Sequence, residues 1–189
     1  DNLKPDDFPP EMGIELRMTN RAYRSAKLMR EVEGRFTREI IDRIKYDTVY
    51  NREGYIATAM DAIEALDLSD DPKLAEAQKL IAEWDMNFDN KGAGDALALI
   101  VLSRPMATSY WMKEAPDASE VLSEGVDHLM EHFGRLDVPL SDLLRLRQGD
   151  VDLPLIGGSD TLRASTFWEV HDDGRFSLRH GDSFIQYVE

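Results

Sequence analysis

Leu162-Arg163-Ala164-Ser165-Thr166-Phe167-Trp168-Glu169-Val170, followed after His171 by Asp172-Asp173-Gly174, is where the chain changes its period. Leu162, Ala164, Thr166, Trp168 and Val170 fall on one side of an extended backbone, which predicts a strand. The Asp-Asp-Gly triplet is a hairpin signal, because Gly tolerates the positive φ of a tight turn. Arg175 to His180 then predicts the return strand, Gly181-Asp182 a break, and Ser183 to Glu189 a third strand.

Everything upstream of that stretch reads as helix and loop. Asp1 to Pro10 holds three prolines and predicts an extended lead-in. Thr19 predicts a cap for a helix carrying Ala22, Tyr23, Ala26 and Met29, closed by Gly34. Thr37 predicts a second cap, with Ile40, Ile41 and Ile44 on one face. A third helix is expected from about Glu53 to Leu66 on the stripe Ile56, Met60, Ile63 and Leu66. Asp71-Pro72 is a strong helix start, a capping carboxylate followed by the one residue that lacks an N–H. Leu74, Ala77, Leu80, Ile81 and Trp84 continue it. After a turn over Asp89 to Gly94, the nearly all-apolar run to Leu102 predicts a buried helix that Pro105 ends. Ser119 is expected to cap a helix ending at Gly134, and Ser141 a short helix to Arg147.

The fold class that follows is α+β, mostly helical with a C-terminal β-hairpin. Residues 1–18 form the lead-in, 19–150 a helical region, and 151–189 a hairpin and strand that join a core sheet, together one incomplete domain. A few strands with free edges are marginal alone, so they are expected to complete a sheet built by sequence outside this chain. The ends support that expectation: Asp1 shows neither an initiator Met nor a signal-peptide pattern, and Ser183 to Glu189 stops without a turn signal.

With 189 residues, the chain suffices for one ordinary domain and not two. Its net charge of −15, with basic residues scattered among acids, argues against nucleic-acid partners, because phosphate binding needs clustered Lys and Arg. The longest apolar run, Ala96 to Leu102, is far too short to cross a bilayer. With no cysteine, disulfide scaffolds, thiol catalysis and cysteine metal sites are excluded.

Three stretches in order carry a resemblance. They are Asn20-Arg21-Ala22-Tyr23-Arg24-Ser25-Ala26-Lys27-Leu28-Met29, then Leu80-Ile81-Ala82-Glu83-Trp84-Asp85 with the small-residue helix at Gly94, then Gly157-Gly158-Ser159-Asp160-Thr161-Leu162-Arg163-Ala164 with Asp173-Gly174-Arg175 and His180-Gly181-Asp182-Ser183-Phe184. Together they resemble the later half of the catalytic β-chain of the penicillin acylase family, nearest its acyl-homoserine-lactone acylase branch. The segment from Ser103 to Asp150 matches only loosely.

The resemblance implies an N-terminal-nucleophile hydrolase with an αββα sandwich, periplasmic or secreted. Its precursor cuts itself to expose a Ser whose own α-amine activates the hydroxyl for attack on an amide carbonyl. Backbone N–H groups and an Asn side chain stabilise the oxyanion. This chain begins at Asp1, so the nucleophile is expected upstream, and with it the oxyanion Asn, for which Asn2 and Asn20 are poor substitutes. One functional residue carries over: the family's arginine at the head of the first helix falls on Arg21, with Arg24 as the alternative. A planar guanidinium holds the Asn and the amine-bearing residue in a way a Lys does less well. The expected partners are the missing upstream and downstream segments and a small acylated amide substrate. No cofactor is expected in this chain. The parent enzyme would bind calcium, for which Asp6, Asp7 and Glu11 are suitable donors, although no Asp-x-Asp-x-Asp-Gly loop is present.

A rival pattern is His128-Leu129-Met130-Glu131-His132, an H-x-x-E-H sequence that would place two imidazoles on one helix face for zinc, with Glu131 as base. Asp160 or Glu169 would have to supply a further ligand. A third reading is a non-enzymatic helical interaction domain with an acidic partner surface. His171 and His180 read as structural residues beside the hairpin. Trp84, Trp111, Trp168 and the eight Met read as core before they read as an acyl pocket. Asp85 is expected to turn the chain.

Overall fold

The computed structural model describes residues 9, 11, 18–111 and 113–180. The expected third strand, Ser183 to Glu189, and the donors Asp6 and Asp7 lie outside the described residues, as does Asn2. The described chain is α+β, eight helices followed by a small mixed sheet.

Helix α1 (Asn20–Arg30) starts where expected, with the Thr19 side chain accepting from the Ala22 N–H. It ends earlier, at Glu31, so Gly34 lies beyond the cap. Its buried face is Ala22, Ala26 and Leu28, and Met29 points outward at 49% exposure. Helix α2 (Arg38–Lys45) has the predicted Thr37 cap but buries no residue. Helix α3 (Gly54–Glu64) buries the predicted stripe Ile56, Met60 and Ile63. Helix α4 (Pro72–Glu83) opens as Asp71-Pro72 required, with Asp71 Oδ1 accepting from Lys73 N at 3.1 Å and Leu74 N at 3.0 Å.

Pro105 does not end the apolar helix. Helix α5 (Asp95–Val101) gives way at Leu102, and α6 (Ser103–Tyr110) carries Pro105 in its first turn, where a missing N–H costs nothing. Helix α7 (Ala118–Phe133) is capped by Asp117 rather than Ser119, the carboxylate accepting from Glu120 N at 2.9 Å. Gly134 ends it at φ +70°, as predicted. Helices α5 and α7 cross closely at Gly125, where an added Cβ would stand 2.8 Å from Val101 Cγ2.

The helix expected from Ser141 to Arg147 is a correction. Helix α8 is a single turn (Leu140–Leu143), and Leu144–Gln148 is a strand, β1. The alternation Leu144-Arg145-Leu146-Arg147 suits a strand, and Gly149 at φ +58° turns it into β2 (Val151–Pro154). The predicted hairpin forms as β3 (Thr166–Val170) and β4 (Phe176–His180), paired antiparallel with Trp168 opposite Leu178. Leu162 to Ser165 precede the strand, Leu162 and Arg163 as bends and Ala164 and Ser165 as irregular chain, instead of belonging to it. The sheet order is β2-β1-β4-β3, with β4 parallel to β1. The hairpin therefore joins strands from within the chain, and the boundary at residue 151 falls inside the β1–β2 hairpin. Arg147 ties the sheet together, holding Asp152 at 3.3 Å and Asp173 at 2.7 Å.

The core gathers α3, α4, α5 and α7 around Ile63, Ile81, Leu97, Leu122 and Leu129, each at 0% exposure. Each such side chain contributes about 1.5–3 kcal/mol of burial. A ring cluster of Tyr50, Trp84 and Phe88 continues this core, with centroids 4.8 to 6.2 Å apart. No described helix is long and apolar enough to cross a membrane.

Candidate functional site

The Gly157-Gly158-Ser159-Asp160-Thr161 segment is shaped by its neighbours. Gly157 has φ +94°, and a Cβ there would collide with the Arg163 carbonyl. A Cβ on Gly158 would stand 2.7 Å from the Phe88 ring. Thr161 Oγ1 accepts from Gly158 N at 3.0 Å and lies 2.6 Å from the Arg163 carbonyl oxygen, to which it donates. The Ser165 N–H donates to the Gly158 carbonyl at 2.9 Å. A loop closed this tightly on itself presents Ser159 and Asp160 in one fixed direction.

That direction is the head of α1. Asp160 Oδ2 accepts from Asn20 N at 2.7 Å and from Tyr55 Oη at 3.1 Å, and Oδ1 accepts from Arg21 N at 3.4 Å. The carboxylate thus satisfies N–H groups that the helix leaves unpaired and lies at the positive end of its dipole. Burial pushes the Asp160 carboxyl above the usual carboxylate range, and the N–H donors from Asn20 and Arg21 pull against that shift. Tyr55 is likewise held well above an ordinary phenol, by burial first.

Asn20 is fully committed to structure. Its Nδ2 donates to the Asp160 carbonyl at 2.8 Å and to Val49 O at 3.2 Å, and its Oδ1 accepts from Asn51 N at 2.8 Å. No capacity is left for an oxyanion.

The two arginines separate cleanly. Arg24 is bidentate to Asp47, Nε to Oδ1 at 2.8 Å and Nη2 to Oδ2 at 2.6 Å, with side chains 14% and 10% exposed. It is a structural clamp between α1 and the segment after α2. Arg21 instead lines a cavity of about 270 Å³ with Tyr55, Met106, Trp111, Ser159 and Asp160. Ser159 is 6% exposed, and its Oγ has no hydrogen-bond partner among the described residues. Tyr110 and Trp111 stand at this cavity as an exposed edge-on pair with centroids 5.1 Å apart.

The remaining nominees lie elsewhere. His128 Nε2 donates to the Gly174 carbonyl at 2.8 Å, which fixes the proton on that nitrogen because a carbonyl only accepts. Its ring is 4.8 Å from that of His132, burial lowers its pKa, and Glu131 is exposed on α7. Among the described residues no group of three or more His, Asp or Glu is placed to hold a metal ion. Asp160 is at α1 and Glu169 is exposed on β3, so neither is joined with the histidine pair. His171 Nε2 lies 2.8 Å from Ser177 Oγ across the hairpin. The side chains of His180 and Trp168 lie outside the described set, and of the calcium nominees only Glu11 is described, as exposed. Trp84 is core, donating from Nε1 to Asp95 Oδ1 at 3.0 Å. Asp85 turns the chain by accepting from Asn87 N at 3.0 Å.

The sequence reading passed over Tyr55 and Ser159. Tyr55 sits on the partly exposed flank of α3, and Ser159 stands out only once its burial is known. No known protein-family model matches the chain.

Proposed function

We propose that this chain is part of the catalytic β-chain of an amidohydrolase resembling the penicillin acylases, nearest the acyl-homoserine-lactone acylases. Strands β1–β4 would belong to the αββα sandwich of such an enzyme. Its reaction would split an amide between an acyl group and an amine. A Ser on a segment outside this chain would attack the carbonyl, its proton passing to its own α-amine and on to the leaving amine. Arg21 would support that centre by holding the oxyanion Asn and the amine-bearing residue, with Arg24 as scaffold. The enzyme would be periplasmic or secreted.

The supporting observation is that the first and third stretches of the resemblance meet in space. Asp160 reaches across 140 residues to the first N–H of α1, beside Arg21, and both residues face one cavity. That convergence of a guanidinium, a buried carboxyl and a concave surface suits an active-centre wall.

The experiment is co-expression of this chain with the preceding and following precursor segments that the reading requires. Release of free amine is then assayed from an acyl-homoserine lactone and from a penicillin. Hydrolysis that depends on the upstream Ser, and falls on the order of a hundredfold in Arg21→Lys but little in Arg24→Lys, is expected. An assembled set of segments that cleaves neither substrate overturns the reading.

A further inference from the structure

Among the described helices only α2 buries no residue, yet its sequence, Arg38-Glu39-Ile40-Ile41-Asp42-Arg43-Ile44-Lys45, is strongly amphipathic. At about 100° per residue, Ile40, Ile44 and Ile41 share one arc of the helix surface. Arg43 borders that arc on one side and Lys45 and Arg38 on the other, while Glu39 and Asp42 fall opposite it. Acids and bases that alternate along the sequence are thus sorted onto different faces. Phe36, just before the Thr37 cap, and Tyr46, at the C-cap, set exposed aromatic rings at both ends of the helix, and Ile41 between them is exposed. Eight of the 22 Lys and Arg but only four of the 37 Asp and Glu fall within residues 21–45, a local charge of +4 in a chain of −15. Lys27, Arg30, Arg35 and Arg43 are exposed.

We infer that α2 and its flanking residues dock on an anionic lipid surface. The helix lies in the plane of the interface, with Phe36, Ile41 and Tyr46 entering the acyl boundary and Arg35 and Arg43 meeting headgroup phosphates. Arg38 is ion-paired with Asp42 at 2.9 Å, but both side chains are exposed, and such a pair is readily traded for a phosphate. Charge and shape choose among occupants. A second copy meeting this face through a two-fold axis would set basic border against basic border. A protein groove grips helical anchors at i, i+3, i+4 and i+7, whereas this arc ends at Ile44 and the next turn brings Asp47, held by Arg24. A short apolar strip with aromatic ends and basic borders suits a flat lipid surface. The acidic remainder of the chain faces away from the lipid, so the attachment is peripheral and sensitive to salt. The inference concerns lying on a bilayer rather than crossing it, and it does not depend on the amidohydrolase reading.

The test is co-sedimentation of the chain with vesicles of phosphatidylcholine alone and of phosphatidylcholine with about one-third phosphatidylglycerol. Because the chain has no cysteine, Ile41→Cys takes a single environment-sensitive nitrobenzoxadiazole label, and Lys79→Cys on α4 takes the same label as a control. Pelleting at least about tenfold stronger with the anionic vesicles than with the neutral ones, and weakened by salt, is expected. The label at position 41 should brighten and shift to the blue on anionic vesicles, and the label at position 79 should not. Arg35→Gln with Arg43→Gln should weaken pelleting at least about tenfold. Phe36→Ser with Ile41→Ser should weaken it on the order of tenfold. Both double variants should keep the wild-type circular dichroism, since α2 buries no residue. Trp111→Ser, at the other exposed aromatic pair, should pellet as wild type does. No pelleting, equal pelleting with both vesicles, a silent label at position 41, or a double variant of either kind that pellets undiminished overturns the inference. So does loss of pelleting in Trp111→Ser. Capture by immobilised poly-glutamate without pelleting on lipid assigns the face to an acidic protein and likewise overturns it.

Discussion

Two buried aspartates, each tied to the first turn of a helix, have parted ways in this molecule. Asp95 opens α5 with 0% exposure; its carboxylate accepts from Trp84 Nε1 at 3.0 Å and Gly92 N at 3.3 Å. Asp160 caps α1 from a loop 140 residues away and borders a cavity. Burial raises both carboxyls, Asp95 to about 6. The first closes a local turn inside the core. The second joins two distant segments where a volume stays open. A displaced pKa alone does not mark a functional site; a displaced pKa beside a cavity and a guanidinium is the more informative combination.

The sharpest way to break this contrast is Asp160→Ala. It orphans the N–H groups of Asn20 and Arg21 and the Tyr55 hydroxyl together, and should cost roughly 3 kcal/mol in urea denaturation.

Asp95 should show itself through pH. Its folded pKa of about 6 exceeds the ordinary 3.8, so the folded state holds the proton more tightly than the unfolded chain. The contribution of Asp95 to stability is therefore fully present below about pH 4, falls by about 3 kcal/mol as pH rises through 6, and is flat above. Asp95→Asn keeps an acceptor for Trp84 and should lack that decline. Thermal melts of the two proteins from pH 4 to 8 compare them directly, and parallel profiles would refute the assignment.

Asp95→Ala should cost about 2 kcal/mol at pH 5 by orphaning the Trp84 and Gly92 donors. The cost should shrink toward pH 8, where the wild type bears a buried charge. The smallest effect expected is that of Tyr55→Phe, about 1 kcal/mol for one lost donor to Asp160. It should raise the Asp160 carboxyl further, which a carbon-detected NMR titration of that side chain reads.

Helix starts and stops were legible because they depend on chemistry within a few residues. Asp71-Pro72, Thr37 and Gly134 each satisfy or relieve backbone groups beside them, and the structure uses all three as read. Met29 and Leu28 exchanged places because adjacent apolar residues leave the buried face ambiguous by about 100° of helix rotation. The strand at Leu144–Gln148 was missed because it is held by strands that flank it in the sheet, Val151–Pro154 and the distant Phe176–His180, and pairing outweighed a weak Ser141 cap. Of the candidate site, Arg21 was legible through resemblance. Neither its separation from Arg24 nor the presence of Tyr55 and Ser159 was.

By itself the sequence determined the local grammar: most helix starts and stops, the Asp172–Gly174 hairpin, the absence of thiol chemistry, and a net acidic composition. Only the tertiary structure decided which arginine faces a cavity, which aspartate joins distant segments, and which serine is buried without a partner among the described residues. The physical reason is range. Caps and turns are settled by hydrogen bonds within about four residues. Asp160 meeting Asn20 across 140 residues exists only after the aromatic cluster and the Gly157-Gly158 turn have brought the two ends of the chain together.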